Sequence, residues 1–274
     1  MNIRRAAVAG RWYPGTAGAL AAAVDAHLAN ADRDVQGHLV ALIAPHAGLM
    51  YSGPVAAHAY RLLRDRVFDV AVLVGPSHFV GFDGVSMMSS GGFETPLGVA
   101  PIDPACAQAL LEASPIIREQ PAPQVDEHSL EMQLPFLQRL APGVPIVPLV
   151  MGYQTAQTAR ALGDALGSAL KGRRALLVAS TDLSHYHDAK SAAALDRVVI
   201  DCVSQFDADR LQHALDARPE HACGGGPTVA VMRAAQHLGA RDAIVLAYAD
   251  SGDVSGDKSA VVGYLAAALG TFAG

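Results

Sequence analysis

The chain has 274 residues, of which 51% are hydrophobic, 17% charged and 5% aromatic, and its formal net charge is −6. That balance excludes a disordered or collagen-like chain and offers no basic stripe to neutralise phosphates, so no nucleic-acid partner is expected. The length suits one α/β domain spanning 1–274. No apolar run approaches the roughly 20 residues that cross a bilayer, so no membrane association and a cytoplasmic location are expected.

In chain order, the Ala- and Leu-rich segment 18–29 has helical spacing and is followed by a Val, Ile and Leu run at 39–44 that reads as a buried strand. Further apolar runs at 70–74, 144–150, 175–179 and 243–247 predict strands, and 261–268 supplies a last element. Between them, 155–170, 192–203 and 228–238 have the periodicity of helices. Strands alternating with helices predict a mostly parallel central sheet flanked by helices on both faces.

Three predicted strands end in loops that carry histidine. Pro45-His46-Ala47-Gly48 follows the first, Gly75-Pro76-Ser77-His78 the second, and Ser180-Thr181-Asp182-Leu183-Ser184-His185 the fourth. Ligands of parallel α/β sheets bind beyond the carboxyl ends of the strands, so these loops should converge.

Two neutral imidazoles, His46 and His78, suit zinc, iron or copper. Cys223 stands just before a helix that Pro227 is placed to start, where free backbone amides favour a thiolate, either as metal ligand or as nucleophile. Cys106 and Cys202 fall inside helical patterns and read as small buried hydrophobes. Three cysteines without CxxC spacing do not make a disulfide framework.

Asp182 and His185 share a loop, a pairing that orients and charges a general acid or base. Glu127 and His128 lie in a polar stretch before an apolar one, where they serve either as a helix cap or as pocket wall, and Pro135 limits how much of that stretch is one helix. Tyr51-Ser52-Gly53 reads as a turn. His27, His38, His58, His213 and His237 lie away from the strand ends and read as surface or packing residues. The glycines at 224–226 lack P-loop spacing and no dinucleotide fingerprint is present, so ATP and NAD are not expected.

Together these motifs, with Val8-Ala9-Gly10-Arg11-Trp12-Tyr13-Pro14, Asp126-Glu127-His128-Ser129-Leu130-Glu131, Ser251-Gly252-Asp253 and Val261-Val262-Gly263-Tyr264, resemble the Memo family. Its prokaryotic members are called AmmeMemoRadiSam system protein B. The resemblance implies a fold like that of class III extradiol dioxygenases, in which two histidines and a carboxylate hold a metal at one end of the sheet. In Memo proteins a cysteine replaces the carboxylate.

Carried onto this sequence, His46, His78 and Cys223 become the metal ligands and His185 the acid/base, with Asp182 in the same pocket. Tyr51, Glu127 and His128 are further pocket candidates. Iron(II) is the expected cofactor, with copper or zinc as alternatives. A small, phenolic substrate, O2, and AMMECR-type and radical SAM protein partners follow from the same resemblance. The sequence departs from the family pattern at Trp12, where Phe is usual, and at Leu49, where Tyr is common. Two other readings stay open: a metal-independent cysteine hydrolase or transferase using Cys223 and His185, and a non-catalytic binding or adaptor protein.

Overall fold

The computed structural model describes residues 2–32 and 34–273. Its elements in order are β1 (Ile3–Arg4), α1 (Ala17–Asn30), β2 (Gly37–Ala44), α2 (Leu49–Tyr60), β3 (Val70–Pro76), β4 (Val85–Met87), β5 (Gly92–Thr95), β6 (Gly98–Pro101), α3 (Pro104–Ala113) and β7 (Ile117–Glu119). There follow α4 (Leu134–Leu140), β8 (Ile146–Met151), α5 (Ala156–Ala169), β9 (Ala175–Ser180), β10 (His185–His187), α6 (Ala189–Ser204), α7 (Ala208–Ala217), α8 (Gly225–His237), β11 (Asp242–Asp250), α9 (Gly252–Ser255) and β12 (Val261–Phe272).

The large sheet runs β10-β12-β2-β9-β3-β8-β4-β7, with β11 also paired to β12. Its middle strands β2, β9, β3 and β8 are mutually parallel. They are runs of Val, Leu, Ile and Ala buried on both faces, as parallel strands under helices must be. Helices α1, α2 and α4 pack together on one side of the sheet and α5 and α8 on the other.

The central strands are parallel as predicted, with helices on both faces, and antiparallel pairs join them at each flank. β4 pairs antiparallel with β8, and β12 pairs antiparallel with β2, β10 and β11. Chain length explains the first case. Residues 77–84 are too few for a parallel crossover, which takes about a dozen residues or more, so β4 must return antiparallel to β8, while β7 beyond it runs parallel to β4. A separate three-stranded sheet joins β1, β5 and β6.

The order β2-β9-β3 places the site. Loops leaving these neighbouring strands carry His46, then Asp182, then His78, so strand pairing alone brings distant parts of the sequence to one edge. Among the described residues, no helix is long and apolar enough to cross a membrane.

Candidate metal centre

His46 is buried and its tautomer follows from its neighbours. The hydroxyl of Ser180, the last residue of β9, donates to Ser129 O at 2.6 Å and accepts from Gln133 Nε2 at 2.7 Å. Gln133 is itself oriented by the Tyr60 hydroxyl, which donates to its Oε1 at 2.8 Å. The 2.8 Å contact between Ser180 Oγ and His46 Nδ1 must therefore be an N–H donated by the ring. His46 Nε2 is left with its lone pair, and 3.2 Å from it lies Cys223 Sγ.

His78 is fixed in the same sense by a different group. Glu127 Oε1 accepts from His78 Nδ1 at 2.9 Å and from Ser129 N at 2.8 Å, while Oε2 accepts from His78 N at 2.6 Å. Burial opposes ionisation of Glu127, but these bonds and the attraction of His78 outweigh it and bring its pKa down to about 2. The ring again keeps Nε2 free. A Cβ on Gly75 would meet Ser129 Oγ at 2.6 Å, so the close approach of β3 to the segment carrying Glu127 requires glycine.

His128 completes a group of three imidazoles. One ligand atom from each of His46, His78 and His128 lies within 4.8 Å of the others. His78 and His128 are stacked with ring centroids 4.5 Å apart, and Trp12 covers the far side of His128 at 4.2 Å. Buried His128 Nδ1 has no hydrogen-bond partner. Burial, with repulsion from His46 and His78, lowers its pKa to about 3, and burial also holds His46 well below the usual range. Burial thus favours the neutral form, in which imidazole binds metal, at His46 and His128.

Cys223 reaches His46 from the loop before α8. Its amide donates to Asp182 O at 3.2 Å, and its sulfur receives the amide of Asp182 at 3.3 Å. A Cβ on Gly224 would lie 2.3 Å from Ser180 O, so glycine lets this loop sit against the end of β9. The thiolate expected from the helix N-terminus is corrected by the structure. Burial first, and then the Asp182 carboxylate, push the thiol up from its ordinary value.

Asp182 is also used differently from the expectation. Its Oδ1 accepts the backbone amide of His46 at 2.7 Å, and among the described residues no hydrogen bond joins it to His185. Burial raises its pKa to about 6 against the opposing effects of the His46 amide and the nearby charge of His185. His185 begins β10, partly exposed, with its ring 5.6 Å from that of Tyr186. It follows Asp182 by three residues in the loop that leaves β9, and its backbone pairs with Val262 of β12.

Tyr51 lies in the first turn of α2 rather than in the predicted turn, half-buried against the core. Among the described residues it makes no hydrogen bond or ring contact with the three imidazoles. Leu49, the departure from the family pattern, is buried at the start of the same helix and donates its amide to Trp12 O at 2.8 Å.

The residues that sequence reading missed are those that hold the others. Ser180 and Trp12 touch the imidazoles, Gln133 holds the Ser180 hydroxyl, and Glu131 anchors the N-terminal segment that carries Trp12. Fully buried Glu131 pairs with Arg4 and accepts from Ala7 N at 2.8 Å, Val8 N at 3.1 Å and the Tyr13 hydroxyl at 2.5 Å. The one available signal was a carboxylate inside an apolar stretch, which demands partners.

Known proteins resemble this chain along most of its length. The family model for Memo-like protein matches residues 4–268. A MEMO1 family protein of Methanothermobacter thermautotrophicus is 42% identical over 226 residues, covering 81% of this chain and 82% of its own. One from Nitrosopumilus maritimus is 34% identical over 269 residues, covering 96% and 98%. Among solved structures, an uncharacterized protein from Escherichia coli K12 is similar in fold, with a TM-score of 0.54 at 19% identity over 83% of this chain and 99% of that one.

Proposed function

Because the chain belongs to the Memo-like protein family, we propose that its strand-end site makes it a mononuclear non-haem metal oxidoreductase, using iron(II) in preference to copper or zinc. Its substrate is a small, phenolic molecule oxidised with O2. The observation that carries this reading is the paired tautomer: Ser180 and Glu127 each occupy an Nδ1, leaving the Nε2 atoms of His46 and His78 free, with Cys223 Sγ 3.2 Å from His46 Nε2.

The donor set fits such an ion. Histidine and thiolate ligands of one metal, bonded at about 2.0–2.1 and 2.3 Å, stand roughly 3.5 Å apart, close to the observed spacing. Hydrogen bonds that leave one ring nitrogen free are the usual support of metal-binding histidines. His46, His78 and Cys223 would hold the ion, and the orphaned Nδ1 of His128 gives the pocket a further donor or an acceptor for a substrate hydroxyl.

When bound, the ion supplies one-electron chemistry toward O2 and Lewis acidity toward a substrate hydroxyl. The residues supply the rest. Cys223, whose buried thiol holds its proton tightly, gives it up on ligation. His185 takes the proton of the substrate hydroxyl. Asp182 fixes the backbone at His46, Glu127 fixes His78, and Trp12 shields His128 from water. AMMECR-type and radical SAM proteins are the partners proposed with this activity.

A cysteine nucleophile is the competing reading, and the Cys223–His46 contact is the one observation that favours it. Its base would be His46 rather than His185. The amides that would serve as oxyanion donors are already used: Gly224 N donates to Thr181 Oγ1, Gly225 N to Ala222 O, and Gly226 N to Gln154 Oε1.

Elemental analysis of protein purified without oxygen or a histidine tag tests the proposal, with wild type beside His46→Ala and Cys223→Ser. One equivalent of iron or copper, lost in both variants, is expected. Folded wild-type protein that holds no metal and cannot be reconstituted would overturn it.

A further inference from the structure

A cleft of about 500 Å3 opens where β2 and β9 begin, at the opposite end of the central sheet from the histidines. It lies between the start of β2, the loop before β3 and the turn joining α5 to β9, far from any residue of the candidate metal centre. We propose that it binds a small organic anion with an apolar body, the head group held by Arg66 and Arg173.

Charge is the first argument. The chain carries a net charge of −6, yet this cleft is lined by His38, Arg66, Arg173 and Arg174. The carboxylate paired to this group is Asp69, and it takes Arg174 at 2.6 and 3.2 Å. Arg173 and His38 are exposed, and among the described residues neither side chain makes a hydrogen bond or ion pair, so the Arg173 charge and the donors of both remain available to a ligand.

Arg66 is the second argument, because it is half-buried and pre-positioned. Its Nη1 donates to Gly37 O at 2.6 Å and its Nη2 to Val35 O at 2.7 Å. Those carbonyls fix the plane of the guanidinium without neutralising it. A cation partly removed from water without a counter-ion is unfavourable, and an anion arriving in the cleft relieves that cost. Asp65, held in the left-handed region at φ 61, turns the chain immediately before it.

The remaining wall is apolar. Phe68 and Leu238 line the cleft beside the cations, and the volume falls in the range of small-molecule sites. Cations along one wall and hydrocarbon along another specify an amphiphile: a carboxylate, sulfonate or phosphate on an aromatic or short aliphatic body. Inorganic phosphate alone would leave the apolar wall unused. The proposal is independent of the metal reading and survives its failure.

The test is a fluorescence titration with 1-anilinonaphthalene-8-sulfonate, beside the neutral N-phenyl-1-naphthylamine, which has the same rings and no charge. Saturable binding of the sulfonate at one site is expected. Arg173→Glu, at an exposed side chain with no hydrogen bond or ion pair among the described residues, should weaken it by about tenfold or more with an unchanged thermal melt, while binding of the neutral probe stays as it was. Arg66→Gln should act in the same direction. Phenyl phosphate or benzoate should displace the probe, and which of them does so names the head group. Sulfonate binding unaffected by Arg173→Glu, equal affinity for the neutral probe, or displacement by neither competitor would overturn the proposal.

Discussion

Glu127 grips His78 at two points, its Oε1 on the ring Nδ1 at 2.9 Å and its Oε2 on the backbone amide at 2.6 Å. One carboxylate therefore sets both the ring's tautomer and the path of the loop that carries it. No neutral side chain can accept on both oxygens.

Glu127→Gln consequently puts an NH2 group against one of the two donors. Metal affinity is expected to fall by about 10–100-fold, the usual cost of losing such a supporting partner. Competition with a chelator measures it, and an unchanged affinity would mean that Glu127 is only pocket wall.

Asp182 gives the metal-free fold a particular pH response. Burial raises its pKa from 3.8 to about 6, so the folded state holds a proton that the unfolded chain has released. The stability linked to this carboxyl is present below about pH 4 and is lost as pH rises through 6. Glu127, depressed to about 2, acts oppositely: its contribution is present above about 4.5 and lost as pH falls toward 2. In chelator-treated protein, Asp182→Asn should remove the decline between pH 4 and 6 in urea unfolding curves. Parallel curves for variant and wild type would contradict the assignment.

Cys223 should be a poor nucleophile. Burial keeps its thiol protonated at neutral pH, so metal-free protein should react with iodoacetamide at pH 7 more slowly than free cysteine does. Mass spectrometry of the labelled peptide reads the rate. Rapid alkylation would revive the cysteine-hydrolase reading.

The Arg4–Glu131 pair is fully enclosed, and removing one partner strands the other. Glu131→Gln is expected to cost about 3–5 kcal/mol, measured by denaturant unfolding. Because Glu131 also holds Ala7, Val8 and Tyr13, the loss should be accompanied by greater exposure of Trp12, visible as a red shift of its emission.

The strand ends were legible because buried apolar runs stop abruptly at Pro, Gly and polar residues, a contrast local in sequence. His46, His78 and Asp182 came from that contrast. Glu127 and His128 were only half legible, since their pocket role depends on the segment folding back across the end of β3, and Gly75 gives no sign of which segment it admits. The antiparallel pairing of the flanks was not legible, because an apolar run such as 261–268 is equally buried in either direction. The charge state of Cys223 was misjudged because a helix N-terminus is visible in sequence whereas burial of the sulfur is not. The cleft at 38, 66 and 173 was invisible, since its cations are scattered over three segments.

The last of the described strands sits inside the sheet. β12 (Val261–Phe272) bonds to β2 on one side and to β10 and β11 on the other. Until it emerges from the ribosome, the backbone of β2 has an open edge flanked by Leu42 and Ile43, the kind of surface that recruits other strands. A chain ending at residue 260 should therefore collect in the insoluble fraction instead of surviving as a slightly shorter protein. Message truncation or premature termination would yield a product that quality control meets as an aggregate.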